Sequence, residues 1–97
     1  MPTVYIPNKG THDYSPAERY GDLVYLTEGA VNRYDLDPII ADIQNTLSEA
    51  TASDYLIITS LSILNAISVG FFAARFGRVN LLQFRNGSYV QRTINFS

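Results

Sequence analysis

Residues 55–74 carry no charge, and this stretch constrains the fold more than any other feature of the chain. About 20 apolar residues suffice to span a bilayer as a helix, so the run is either a membrane segment or two buried elements laid end to end. Its polar residues favour the second reading. Thr59, Ser60 and Ser62 cluster just after a strand-favouring run, as in a strand-to-helix turn with hydroxyl N-caps. The spacing therefore predicts a strand over 55–59, buried on both faces. It predicts a helix over 62–76, ended by Gly77 as C-cap. Hydropathy by itself leaves the membrane span as the alternative.

The flanking segments are patterned as in a folded α/β chain. A strand is expected over 3–7, then a polar loop over 8–14. Ser15-Pro16-Ala17-Glu18 starts a short helix with Ser15 as N-cap, Pro16 at the first helical position and Glu18 at the capping-box position, and Gly21 stops it. A second strand over 23–27 leads into a second polar loop over 28–34. Asp37-Pro38 opens the next helix by the same N-cap logic, with Ile39, Ile40, Ile43 and Leu47 on one apolar face. The fourth strand covers 78–85. Asn86-Gly87 is a strong two-residue hairpin signal, returning the chain antiparallel over 88–96. Together these elements predict an α/β fold: a small, three-layer, Rossmann-like single domain over 1–97. Its sheet is mostly parallel, in the order 2-1-3-4-5, with the hairpin strand as an antiparallel edge.

Composition narrows the function. At 97 residues, 46% apolar and 16% charged, the chain should bury a core rather than stay disordered. Its net charge is −2 and no run of Lys or Arg forms a stripe, which argues against duplex nucleic acid as a partner. There is no cysteine, so disulfides, thiolate metal sites and cysteine nucleophiles are excluded. A single histidine with scattered carboxylates falls short of metal-ligand spacing, and no cofactor motif is present. No secretory leader pattern opens the sequence, which makes the cytoplasm the expected compartment.

In open parallel sheets ligands bind beyond the carboxyl ends of the strands. That rule selects three loops: one with Asn8, Lys9, Gly10, Thr11, His12 and Asp13; one with Thr27, Glu28, Asn32 and Arg33; one with Thr59, Ser60, Ser62 and Asn65. Lys9, Gly10, Thr11 and His12 suit a phosphate or carboxylate, and the N-terminus of the 62–76 helix adds backbone donors. The plainer reading makes the first loop a polar connector, Ser60 and Ser62 helix caps, and Asn65 a partner of neighbouring backbone. General acid-base work by His12 would need orientation by Glu28 or Asp13. The 62–76 helix is apolar almost all round, so its outer face is expected to pack on a second copy of the chain.

Several segments resemble a family of small proteins encoded by tailed bacteriophages: Val4-Tyr5-Ile6-Pro7-Asn8-Lys9, His12-Asp13-Tyr14-Ser15, Glu18-Arg19-Tyr20-Gly21, Leu26-Thr27-Glu28-Gly29, Asp54-Tyr55-Leu56 and Gly77-Arg78-Val79-Asn80-Leu81-Leu82. The resemblance runs through nearly the whole chain and contains no catalytic signature. It implies a viral product acting inside a bacterial host, with the His12-Asp13 loop as the functional patch. The resulting expectation is a non-enzymatic oligomer holding a small anionic, nucleotide-like ligand, for instance as a counter-defence factor sequestering a host signal. The rivals are an interaction module that inhibits a host protein, and a nucleotide hydrolase using His12 with Glu28 or Asp13.

Overall fold

A computed structural model describes residues 1–32 and 34–96. Its elements follow the order β1 (Thr3–Ile6), a 3-10 helix (Ser15–Tyr20), β2 (Asp22–Tyr25), α1 (Leu36–Leu47), β3 (Tyr55–Ile57), α2 (Ser62–Phe76), β4 (Arg78–Arg85) and β5 (Ser88–Asn95). The strands form one sheet in the order β2-β1-β3-β4-β5. The first four are mutually parallel, and β5 returns antiparallel on β4. Asn86 and Gly87, both at positive φ, make the two-residue turn, as their order in the sequence predicts.

This order fixes which connection covers which face. The chain steps from β1 to β2 toward one edge, then from β2 past β1 to β3 and on to β4 toward the other. Crossovers of one hand must then place the first connection opposite the other two. Accordingly, Ile39, Ile43 and Leu47 of α1 join Leu64 and Phe72 of α2 over Tyr5, Leu56, Val79 and Leu81. The 3-10 helix contributes Ala17 to a second cluster on the opposite face, with Val4, Ile6, Ile57, Leu82 and Tyr89. Adjacent residues such as Val4 and Tyr5 enter different clusters because strand side chains alternate.

Residues 55–74 divide into β3, which ends at Ile57 rather than at Thr59, a loop over 58–61, and α2; among the described residues no helix is long and apolar enough to cross a membrane. Gly77 ends α2 in the left-handed conformation, φ 68°, its N–H donating to the Ala73 carbonyl at 2.9 Å. Only Leu64, Ser68 and Phe72 of α2 are fully buried. Its outermost line is Ser62, Ala66, Gly70 and Ala74, so the large apolar side chains sit at its half-buried flanks.

Three local expectations are corrected. Ser15 is not an N-cap: its N–H donates to the Asp13 carboxylate at 2.9 Å, and the six-residue segment closes as a 3-10 helix, as short runs do. Asp37 lies inside the first turn of α1, which begins at Leu36 and has no side-chain cap. Regular pairing of β2 stops at Tyr25 rather than at Thr27, because after the Leu26 N–H bond to the Ile6 carbonyl the ladder shifts by one residue, to Thr27 N–H on the Pro7 carbonyl. The two chains nonetheless stay bonded beyond it, through Lys9 N–H to the Thr27 carbonyl and Gly29 N–H to the Lys9 carbonyl.

A polar network closes the other end of the sheet. The buried Asp54 carboxylate accepts from the N–H groups of Thr3 at 2.9 Å and Thr51 at 2.8 Å. The buried Asn80 amide donates to the carbonyls of Ala52 and Asp54 and accepts from the Thr93 hydroxyl. A buried polar group without partners would cost about 1–3 kcal/mol. These bonds avoid that cost and tie together β1, β3, β4 and β5.

Candidate functional site

Because β1, β2 and β3 are parallel, the loops after them meet at one edge of the sheet, as the sequence predicts. What the side chains do there is divided. Asn8 donates to the Thr27 hydroxyl at 2.9 Å and the Gly29 carbonyl at 3.0 Å, and the Thr27 hydroxyl donates to the Pro7 carbonyl at 2.6 Å. These two residues lock the first loop to the second. Asn65 does the same for the third: its amide donates to the Thr59 carbonyl at 2.7 Å while its Oδ1 accepts the Thr59 N–H at 3.2 Å. The backbone partner expected for Asn65 is therefore Thr59, six residues earlier.

That clamp has a consequence at the start of α2. With Thr59 held by Asn65, and the Thr59 hydroxyl accepting the Leu61 N–H at 3.2 Å, Leu61 takes the N-cap position and no side chain caps the helix. Ser60 and Ser62 are thus not the caps their spacing predicts. Ser60 and the start of α2, from Leu61 to Leu64, line a cavity of about 520 Å³ together with Val31, Asn32 and Tyr34.

A second cavity, of about 280 Å³, opens on the face of the 3-10 helix between His12, Tyr14, Thr59, Ser60, Phe84 and Tyr89. Ser60 lines both cavities, so the β3–α2 loop is the partition between them. The second cavity belongs to an aromatic row. Tyr25 stands 6.2 Å from Tyr14, Tyr14 4.7 Å from His12, His12 5.8 Å from Phe84, and Phe84 5.2 Å from Tyr89, centroid to centroid and all edge-on. Such tilted contacts suit the ring quadrupoles. Burial raises the Tyr14 and Tyr89 phenols above their ordinary pKa. Tyr14, Phe84 and Tyr89 were not among the expected site residues. The signal for them is the abundance of tyrosine together with the period-2 placement of Phe84 and Tyr89 about the hairpin turn.

The remaining predicted residues disperse. Lys9 holds its ammonium 5.5 Å from the Tyr25 ring, at the far end of the aromatic row rather than beside α2. The exposed His12 ring packs on Tyr14 and Phe84 and, among the described residues, bonds to no carboxylate. Asp13 is engaged by Ser15, whose backbone N–H and hydroxyl hold its carboxyl below the usual range, with a smaller contribution from His12. Glu28 pairs through its backbone with Lys9 and lines a smaller cavity of about 180 Å³ with Thr27 and Asn32. Gly10 and Thr11 are exposed. Arg33 lies outside the described residues. No group of three or more metal-ligating side chains occurs among the described residues.

A family model described as Phage Pam3 gp32-like protein matches residues 2–96. The chain belongs to that family. The likeness to small phage proteins seen in the segments from Val4 to Leu82 is thereby shown for almost the full length. No curated protein and no solved structure matches this Pam3 gp32-like chain.

Proposed function

We propose that the chain is a non-enzymatic, oligomeric phage protein that binds a small anionic, nucleotide-like ligand at the carboxyl ends of its strands. Its setting would be the host cytoplasm, where sequestering a host signal would serve counter-defence. One observation carries the reading: the first turn of α2, which has no side-chain cap, lines the 520 Å³ cavity together with Ser60 and Ser62, whose hydroxyls have no partner among the described residues. Orphan N–H groups at a helix N-terminus favour an anion electrostatically and by hydrogen bonding. The apolar walls offered by Val31 and Leu61 suit the less polar part of the same ligand, and the volume is that of small-molecule sites, roughly 300–1,000 Å³. A Rossmann-like reading of the fold agrees, since strand order reverses between β1 and β3 and ligand crevices open at such points.

Nucleoside mono- and diphosphates should raise the melting temperature without being consumed. Ser62→Asp should abolish that shift, because a carboxylate in the first turn repels the ligand while remaining favourable to the helix. No response to any nucleotide would refute the proposal, and turnover lost in His12→Ala would transfer it to the hydrolase reading. A host-protein interaction is the second reading, favoured by Phe84, which is 50% exposed near the hairpin tip. Its mark is a retained host protein that Phe84→Ala releases and nucleotides do not displace.

A further inference from the structure

The sheet has two edges, and they differ. β2 has four residues and begins with Asp22. β5 has eight, pairs with β4 in unbroken register, and contains neither proline nor lysine. Open edges are usually blunted by short length, charge, proline or a bulge. β5 has one charged residue, Arg92, and none of the other devices.

The hydrogen-bond pattern shows which backbone groups of β5 are open. Phe96 N–H donates to the Gly77 carbonyl at 2.8 Å, and Val79 lies opposite Ile94 in the same register. Antiparallel pairs alternate between bonded and non-bonded positions. Ser88, Val90, Arg92 and Ile94 therefore bond inward to β4, whereas Tyr89, Gln91, Thr93 and Asn95 direct their N–H and C=O groups outward. The Tyr89 carbonyl is already engaged by the Tyr20 hydroxyl at 3.0 Å. Among the described residues nothing engages the outward donors and acceptors of Gln91, Thr93 and Asn95.

We infer that β5 is a self-association surface, on which a second copy of the chain adds antiparallel about a twofold axis at Thr93. That axis pairs Thr93 with its own mate and Gln91 with the partner's Asn95, so every open group finds its complement. A register centred nearer the turn would need the occupied Tyr89 carbonyl.

The side chains obey the same symmetry. Ile94 shares the face of Val79, the side covered by α2, and alternation puts Val90, Arg92 and Phe96 there too. Val90, Ile94 and Phe96 are 38%, 40% and 49% exposed, although each is apolar. The twofold sets Val90 against the partner's Phe96, a β-branched–aromatic cross-strand pair, and Ile94 against the aliphatic stem of the partner's Arg92. This complementarity of the strand with itself selects a second copy over an unrelated extended peptide. α2 offers no equivalent, since its outermost residues are small. The inference stands apart from the ligand reading and is tested without nucleotide.

Sedimentation equilibrium should give the wild-type chain a mass twice that of a single chain. Gln91→Pro removes an outward N–H that β4 does not use, and should halve the mass with an unchanged circular dichroism spectrum. Should that variant misfold, Thr93→Cys gives an independent test in a chain without other cysteines. Facing residues of a bonded pair stand roughly 5.5 Å apart at Cα, within the roughly 4.4–6.8 Å that a disulfide spans. Mild oxidation should therefore link two Thr93→Cys chains covalently, while Ala66→Cys on the outer line of α2 should stay unlinked. A monomeric wild type at all concentrations overturns the inference. So does cross-linking through Ala66→Cys but not Thr93→Cys, or a folded Gln91→Pro that remains dimeric.

Discussion

Gly21 shows how one residue sets the join between two elements. A Cβ at this position would lie 2.1 Å from the Pro2 carbonyl oxygen, and that same oxygen accepts the Asp22 N–H that begins the β1–β2 pairing. The obstacle is backbone, with no flexible side chain able to yield. Gly21→Ala should therefore force the first strand away from β2 and cost about 1–3 kcal/mol or more, read as a lowered midpoint in urea. Gly10→Ala is the matched control: the nearest atom to its Cβ would be Asn8 Oδ1 at 3.8 Å, so its midpoint should barely move. The sequence marks Gly21 as a helix stop, and the structure adds that no other residue fits there. The proximity of Pro2, nineteen positions away, has no local signature.

At the scale of elements, the junction between β3 and α2 is held by Asn65 reaching back to both the N–H and the C=O of Thr59. The amide acts as a short substitute for a neighbouring strand at the point where β3 has lost its pairing. Asn65→Ala should leave the Thr59 N–H and C=O without these partners and destabilise the chain by about 1–3 kcal/mol. The urea midpoint should fall with an unchanged slope, because the surface exposed on unfolding is the same. An unchanged midpoint would mean that the clamp does not hold the loop. A polar amide one turn into a largely apolar helix implies some such partner, and Asn65 has one. Hydroxyls next to a helix start usually cap it, but here the clamp sets the loop and the first turn has no side-chain cap.

For the molecule as a whole, the two faces of the sheet are sealed by different chemistry. Aliphatic and phenylalanine side chains from α1 and α2 cover one face, and the other, under the 3-10 helix, is covered largely by tyrosine. Burial raises the phenol pKa of Tyr5 on the first face and of Tyr14 and Tyr89 on the second, with the Asp54 charge adding to the effect on Tyr5. An unfolded tyrosine titrates near about 10. The folded chain holds these protons more tightly, so their contribution to stability is complete below that pH. It is lost as the pH rises through the raised folded values. The urea midpoint should decline above about pH 10, and phenolate absorbance should lag behind that of a model tyrosine. Tyr5→Phe should make the decline shallower. Simultaneous, unshifted titration of every tyrosine in the folded chain would contradict this account.

Local pattern determined the order of strands and helical segments in this protein. Asn86-Gly87 specifies the hairpin because only residues tolerant of positive φ make that turn. Gly77 ends α2 for the same reason, and the strand–helix alternation implies the parallel sheet. The gathering of the three loops at one edge follows from that parallelism. Which of their side chains are engaged by other segments was decided by tertiary structure. Asn8, Thr27 and Asn65 are engaged by backbone from other segments, Lys9 is drawn to Tyr25, and Tyr14, Phe84 and Tyr89 meet only because the hairpin folds over the 3-10 helix. Periodicity along a chain records which side of an element is buried. It carries no record of partners many residues away, and those partners determine which polar groups remain free.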